Sequence, residues 1–200
     1  MSDKPISWRI NSARTVYENP WLRLREYDAT APTGAPASYG LVSFRNLAVG
    51  VLPLEPDGTT WLVGQMRFTF GQYSWELPEG GCPVDSDPFD TAERELSEET
   101  GMKASGWLPL MENVHLSNSV TDERAFAWLC WDLSPCDAHA ADDVEDLALR
   151  RVPVGQAVHM AVNGEITDAF SLAMLLKADH LWRTGQLPAQ ADAAFKAGQV

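Results

Sequence analysis

An α+β sandwich in one domain is what this sequence predicts, on three observations. Strand-like alternation lies on both sides of one well-marked central helix. Two further helical patterns close the chain, and 200 residues at 45% hydrophobic suffice for one full core. No internal repeat or low-complexity linker breaks the order.

The first 45 or so residues alternate apolar and polar groups, as in Trp8-Arg9-Ile10, Thr15-Val16-Tyr17 and Trp21-Leu22-Arg23-Leu24-Arg25. Asn19-Pro20 and residues 31–36 punctuate them as turns. Residues 47–54 are apolar apart from Gly50 and Pro53 and read as a buried strand. Pro56-Asp57-Gly58 then turns the chain into a strand at Trp61-Leu62-Val63-Gly64. Residues 88–100 form the clearest helix: Asp87 suits the N-cap, Pro88 the first helical position, and Gly101 the residue just past the end. Strand patterns return at 107–116 and 125–133, with an acidic loop at 137–146. Helical spacing marks 153–162 and 168–184, the latter through Phe170, Leu172, Leu175, Leu176 and Leu181. From Gln186 onward the chain is Ala- and Gln-rich, and fraying is expected there.

Composition excludes several classes. No run approaches the roughly 20 apolar residues that span a bilayer, and Met1-Ser2-Asp3-Lys4-Pro5 lacks the apolar run of a secretory signal. Cys82, Cys130 and Cys136 are odd in number without CxxC spacing. They suggest neither a disulfide framework nor a zinc site, and a reducing cytoplasmic compartment is expected. A net charge of −13 repels nucleic-acid backbones. A small anionic substrate can still bind if divalent cations stand between carboxylates and phosphates.

The informative segment runs from Glu76-Leu77-Pro78-Glu79-Gly80-Gly81 through Arg94-Glu95-Leu96-Ser97-Glu98-Glu99-Thr100-Gly101. On a helix turning about 100° per residue, Glu95 and Glu99 lie one turn apart with Glu98 beside them. Ala92 and Leu96 then face the core. Like charges at this spacing disfavour a bare helix, and they crowd its C-terminal half, the wrong end for the macrodipole. A bound cation relieves both penalties, and such oxygen ligands suit magnesium or manganese. A solvated acidic face is the plain alternative for the helix alone. The Gly-rich loop ahead of the helix adds backbone carbonyls as further metal oxygens.

This segment resembles the signature of the Nudix hydrolases, G-x5-E-x7-R-E-U-x-E-E-x-G-U. Anchored on Gly80, the match runs without gaps through Arg94, Glu95, Leu96, Glu98, Glu99, Gly101 and Met102, eight of the nine specified positions. The resemblance implies an α/β/α sandwich, here carrying an antiparallel β extension over residues 1–45 ahead of a Nudix domain over 46–200. Carried over residue by residue, Glu95, Glu98 and Glu99 look like the ligands of magnesium, with manganese as an alternative. The backbone carbonyl of Glu79 looks like the main-chain ligand. Arg94 looks like the catalytic-site residue that pins the glutamates, where an ordinary i,i+4 pair with Asp90 or Glu98 is the alternative. The first glutamate of the signature falls on Ser86, so one supporting contact to Arg94 is expected to be missing. Asp85 and Asp87 flank it as partial substitutes.

Flanking residues narrow the branch. Gly64-Gln65-Met66-Arg67 ahead of Trp75-Glu76-Leu77-Pro78 resembles the ADP-ribose and nucleoside diphosphate sugar pyrophosphatases. In those enzymes the arginine contacts substrate phosphate, which points to Arg67, with a surface salt bridge as the alternative. Arg45 and Glu76 join it as substrate-binding candidates. Residues 115–123 and 162–169 are similar to the same branch. Val144-Glu145-Asp146-Leu147 resembles its acidic loop, so Glu145 is the candidate general base, with Asp122 and Glu123 as rivals. The N-terminal strands resemble the lobe that pairs two subunits, implying a homodimer in which Trp8, Tyr17 or Trp21 stacks on the base, or simply packs. The implied reaction is magnesium-dependent hydrolysis of a nucleoside diphosphate sugar such as ADP-ribose to AMP and ribose 5-phosphate. The alternatives are dinucleoside polyphosphates or nucleoside triphosphates as substrates, or a nucleotide sensor without turnover. Ser86 favours the sensor, and intact Glu95, Glu98 and Glu99 argue against it.

Overall fold

The computed structural model describes residues 7–136 and 147–199. Strand alternation at the N-terminus produces a sheet of its own, in the order β1 (Arg9–Glu18), β2 (Leu22–Thr30) and β3 (Pro36–Phe44), all antiparallel. Asn19 makes the first turn, its Oδ1 accepting from the amides of Trp21 and Leu22.

The apolar run beginning at Leu47 becomes β4 (Asn46–Pro53), the spine of a four-stranded sheet. Its order is β7 (Glu79–Pro83), β4, β9 (Arg124–Pro135) and β8 (Met102–His115), with β4 and β9 parallel. A smaller sheet runs β10 (Ala148–Pro153), β5 (Thr59–Arg67) and β6 (Gln72–Glu76). Helix α1 (Pro88–Thr100) covers one face of the large sheet, burying Ala92 and Leu96 against Val49, Val51, Cys82 and Trp128. Asp87 caps it by accepting from the Phe89 amide, and Gly101 ends it in the left-handed conformation. Between the two sheets lies the main core, closed by α2 (Val154–Val162), α3 (Ala169–Arg183) and α4 (Ala189–Ala197). The expected α+β sandwich with an N-terminal antiparallel β extension is thus the observed architecture. None of the described helices is long and apolar enough to cross a membrane.

Two expectations are corrected. The Gly-rich segment is not all loop: Glu79–Pro83 pairs with β4, Gly80 opposite Val49 and Gly81 opposite Ala48. The tail is packed over its described residues, where fraying was expected. Helix α4 buries Ala191, Ala194 and Phe195, Phe195 stacks on Trp182 at 5.4 Å, and the Gly155 amide donates to the Gly198 carbonyl at 3.0 Å. Small alanines let the helix sit close, so one phenyl ring anchors it where the sequence shows little apolar periodicity. Phe195→Ala is expected to lower the unfolding free energy by about 3–5 kcal/mol in denaturant titration, the cost of emptying a packed aromatic site. A loss below about 0.5 kcal/mol, the size of a surface change, would mean the tail is undocked.

Candidate active site

The turn between β6 and β7 is held by atoms from three elements. The Leu77 amide donates to the buried Ser171 hydroxyl at 2.8 Å, and the Ser171 amide donates to Asp168 Oδ2 at 2.6 Å, the cap of α3. The Val51 amide donates to the Pro78 carbonyl at 2.9 Å. The Glu79 amide donates to Glu99 Oε2 at 3.0 Å. Gly80 leaves room for a carboxylate: a Cβ there would stand 2.0 Å from Glu95 Oε1, so any side chain would displace it. Two of the three signature carboxylates therefore meet the backbone of residues 79–80, and Glu95 is buried while Glu98 and Glu99 are half-buried.

Arg94 gathers the same helix face. Its Nη1 donates to Glu98 Oε2 at 2.5 Å, and its Nη2 donates to Glu95 Oε1 at 2.6 Å and to the Gly81 carbonyl at 3.3 Å. The i,i+4 pair with Glu98 is real, and it is one part of a fork that also takes in Glu95. Asp87 is engaged in capping through Oδ1, and the Ser86 amide donates to the Pro83 carbonyl. Arg94 thus finds partners in Glu95, Glu98 and Gly81.

Among the described residues, no group of three or more His, Cys, Asp or Glu side chains stands arranged to hold a metal ion. The reason is visible in the contacts: Glu95 and Glu98 turn to Arg94, and Glu99 to the Glu79 amide. The donor chemistry nevertheless fits a hard divalent cation. Carboxylate oxygens of one helix face stand beside a backbone without side-chain bulk at Gly80.

Beside this face sits a second charged group. Arg67 Nε donates to Glu76 Oε1 at 2.9 Å, and its Nη2 meets Glu76 Oε2 and, at 3.0 Å, Glu79 Oε1. This pairing with Glu76 holds the guanidinium protonated more firmly than an ordinary arginine. Burial lifts the Glu79 carboxyl well above the usual range, and nearby Asp168 and Glu76 add to the rise against the opposing pull of Arg67.

Three adjoining hollows form a trough across this region. The central one is lined by Arg67, Glu79, Gly80, Gly81, Glu123 and Asp168, with Trp21 and Phe44 from the extension. On one side it continues past Glu76 to Phe70 and Tyr73, and on the other past Glu123 to His115 and Arg124. Burial raises the Glu123 carboxyl above its ordinary value. The loop ahead of Glu123 is fastened to β3: the Ser43 hydroxyl donates to Asp122 Oδ2 at 2.8 Å, the Val42 amide to the Val120 carbonyl, and the Tyr39 hydroxyl to the Ser119 carbonyl.

Of the other candidates, Trp8 lies away from the trough, edge-on to Tyr39 in an apolar groove of the extension with Ile10 and Leu41. Arg45 turns to Glu18. Tyr17 is exposed on β1. Glu145 lies outside the described residues. Sequence reading assigned no site role to Asp168, seen only as the start of a helix and part of a segment similar to the branch, and it missed Ser171, whose buried hydroxyl carries no local signal. It also missed Asn46, whose side chain packs on Gly81.

A NUDIX domain family model matches residues 44–180, and one for the nucleoside diphosphate sugar hydrolase N-terminal domain matches residues 8–42. An ADP-ribose pyrophosphatase of Mycobacterium tuberculosis is 30% identical over 176 residues, which cover 87% of this chain and 84% of that one. One from Bacillus subtilis is 28% identical over 167 residues, covering 83% and 89%. An RNA pyrophosphohydrolase of Bartonella bacilliformis is 31% identical over 101 residues, covering 46% and 51%. In fold, the chain superposes on the crystal structure of an ADP compounds hydrolase with a TM-score of 0.81 at 19% identity, over 93% of this chain and 100% of that one.

Ser171→Ala leaves the buried Leu77 amide without its acceptor. The expected cost is about 1–3 kcal/mol in denaturant unfolding. An unchanged midpoint would show that α3 does not brace this turn.

Proposed function

We propose that this chain, which belongs to the NUDIX domain family, is a magnesium-dependent pyrophosphatase of nucleoside diphosphate sugars, with ADP-ribose as substrate and AMP and ribose 5-phosphate as products. It is a hydrolase of diphosphate bonds. The observation that carries the reading is the meeting of Glu95 and Glu99 with the Glu79–Gly80 backbone. The two ADP-ribose pyrophosphatases matched along most of their length support the substrate.

Nudix pyrophosphatases use divalent metal ions, and Glu95, Glu98, Glu99 and the Glu79 carbonyl are the proposed ligands here. A cation held by them supplies neutralisation of phosphate charge and acidification of water. The protein's own groups do the rest. Before a cation binds, Arg94 keeps Glu95 and Glu98 gathered on one side of the turn. Arg67 faces the trough and offers its outer edge to the diphosphate, where a planar fork suits two phosphate oxygens. Trp21 and Phe44 supply aromatic faces at the trough's edge for the nucleobase. Glu145 is the proposed proton acceptor. Glu123 is a second reading of that role, favoured by its place in the same hollow as Gly80 and Gly81 and by the burial that raises its carboxyl above the ordinary value.

The extension over residues 1–45 is proposed to pair two copies. Lys4, Arg9, Arg14, Arg23, Arg25 and Arg45 against Asp3, Glu18, Glu26 and Asp28 give it a net +2 in a chain of −13, so it complements the acidic remainder of a second copy. Exposed apolar groups are present on both parts, Trp8 and Ile10 on the extension and Phe68 (97% exposed) and Phe70 on the β5–β6 turn. The three unpaired cysteines support a reducing, cytoplasmic setting. The charge of −13 disfavours a nucleic-acid substrate.

The test is phosphate release, with added phosphatase, from ADP-ribose, GDP-mannose, diadenosine polyphosphates and nucleoside triphosphates. ADP-ribose should lead, and its signal should vanish without magnesium. Binding without hydrolysis under any divalent metal would replace the enzyme with a sensor. Glu99→Gln keeps an oxygen for the Glu79 amide, so the fold should persist. Turnover should nonetheless fall by more than the roughly 10- to 100-fold that losing an outer-sphere partner of a metal costs. Wild-type turnover in that variant would reject the ligand assignment. Sedimentation should give twice the 22.0 kDa chain mass, and a monomer would contradict the pairing.

A further inference from the structure

Three strands meet at one guanidinium. Arg67 on β5 binds Glu76 at the end of β6 through both Nε and Nη2, and Glu79 at the start of β7 through Nη2. Glu76 is 3% exposed, and Glu79 Oε2 is buried without a hydrogen-bond partner among the described residues. Asp168 adds a third negative charge that acts on both Arg67 and Glu79. Two carboxylates therefore close on one cation, with Asp168 adding negative charge nearby, in a partly buried corner next to the turn that Glu99 and Glu95 touch.

A guanidinium has five N–H groups, and three of Arg67's point at carboxylates. Only the Nη1 hydrogens are left to meet a phosphate. An arginine serving as a phosphate hand alone would not need its other edge closed on two glutamates. Removing the cation leaves carboxylates in low dielectric without compensation, the costly way to break a buried pair.

We propose that Arg67 is a positioning residue: its Nε/Nη2 edge straps Glu76 and Glu79 together and so fixes the Leu77–Gly80 backbone, independently of whatever its outer edge does for substrate. The part of this that concerns turnover rests on the trough being the reaction site.

The experiment compares wild type, Arg67→Ala, Glu79→Ala and the double variant. Alanine at 79 keeps the backbone carbonyl and removes only the carboxyl side chain. Thermal midpoints are read in chelator without substrate, and kcat and KM for ADP-ribose with magnesium. Arg67→Ala should lower the midpoint by roughly 5–10 °C, and adding Glu79→Ala should recover much of that loss. The double variant should regain about 10-fold in kcat over Arg67→Ala while KM stays raised. A wild-type midpoint for Arg67→Ala, with only KM raised and no rescue by Glu79→Ala, would overturn the proposal. A midpoint cycle as expected with no effect on kcat or KM would uphold the strap and contradict the placing of the reaction in this trough. If Arg67→Ala does not fold, Arg67→Lys takes its place. One ammonium cannot close on both carboxylates in the same way, so a smaller fall with partial rescue is expected, and an unchanged midpoint would overturn the strap.

Discussion

The backbone of residues 77–80 is the constraint on which the rest of this structure depends. An amide buried at Leu77 must find an acceptor, and it finds one ninety-four residues away in Ser171. The Pro78 carbonyl takes the Val51 amide, and the Glu79 amide takes Glu99. These three bonds join β4, α1 and α3 to one short turn. Phe170 and Met174 of α3 fill the space over Gly50 on the neighbouring strand. Placement of the carboxylates is therefore a product of the whole sandwich, and not of α1 alone.

Electrostatics runs against that placement, which is what gives it meaning. Glu95, Glu98 and Glu99 crowd the end of a helix whose dipole disfavours them, in a chain already at −13. Arg94 and Arg67 are the cations set among them, one serving the helix face and the other the strand edges. With both arginines engaged, the corner still holds more acid than base. Such an excess of negative charge matches the proposed use of a divalent cation at this corner.

Much of this was legible in the sequence. Helix α1 was readable to its ends because Asp87, Pro88 and Gly101 act locally, and caps are sequence-local chemistry. Strand β4 was readable because it is buried on both faces. The segment at 79–83 looked like a loop because Gly-Gly and Pro83 carry no strand propensity, yet pairing with β4 overrides propensity where the backbone itself is the contact surface. Helix α4 was hidden because its packing relies on alanines and one phenylalanine. The pairing of Arg67 with Glu79 and the reach of Ser171 to Leu77 were not legible, since contacts between distant elements leave no periodic trace. Trp8 and Trp21 read alike as aromatics that either stack on the base or pack, and only the fold separates one in the extension's groove from one at the trough.

The central claim is that Arg94 holds a metal site in waiting. A crystal structure with magnesium and a non-hydrolysable ADP-ribose analogue tests it most directly. The account predicts that Glu95 and Glu98 leave Arg94, and that oxygens of Glu95, Glu98, Glu99 and the Glu79 carbonyl stand about 2.0–2.1 Å from magnesium. Nucleotide bound in the trough with both Arg94 pairs intact and cations elsewhere would contradict it.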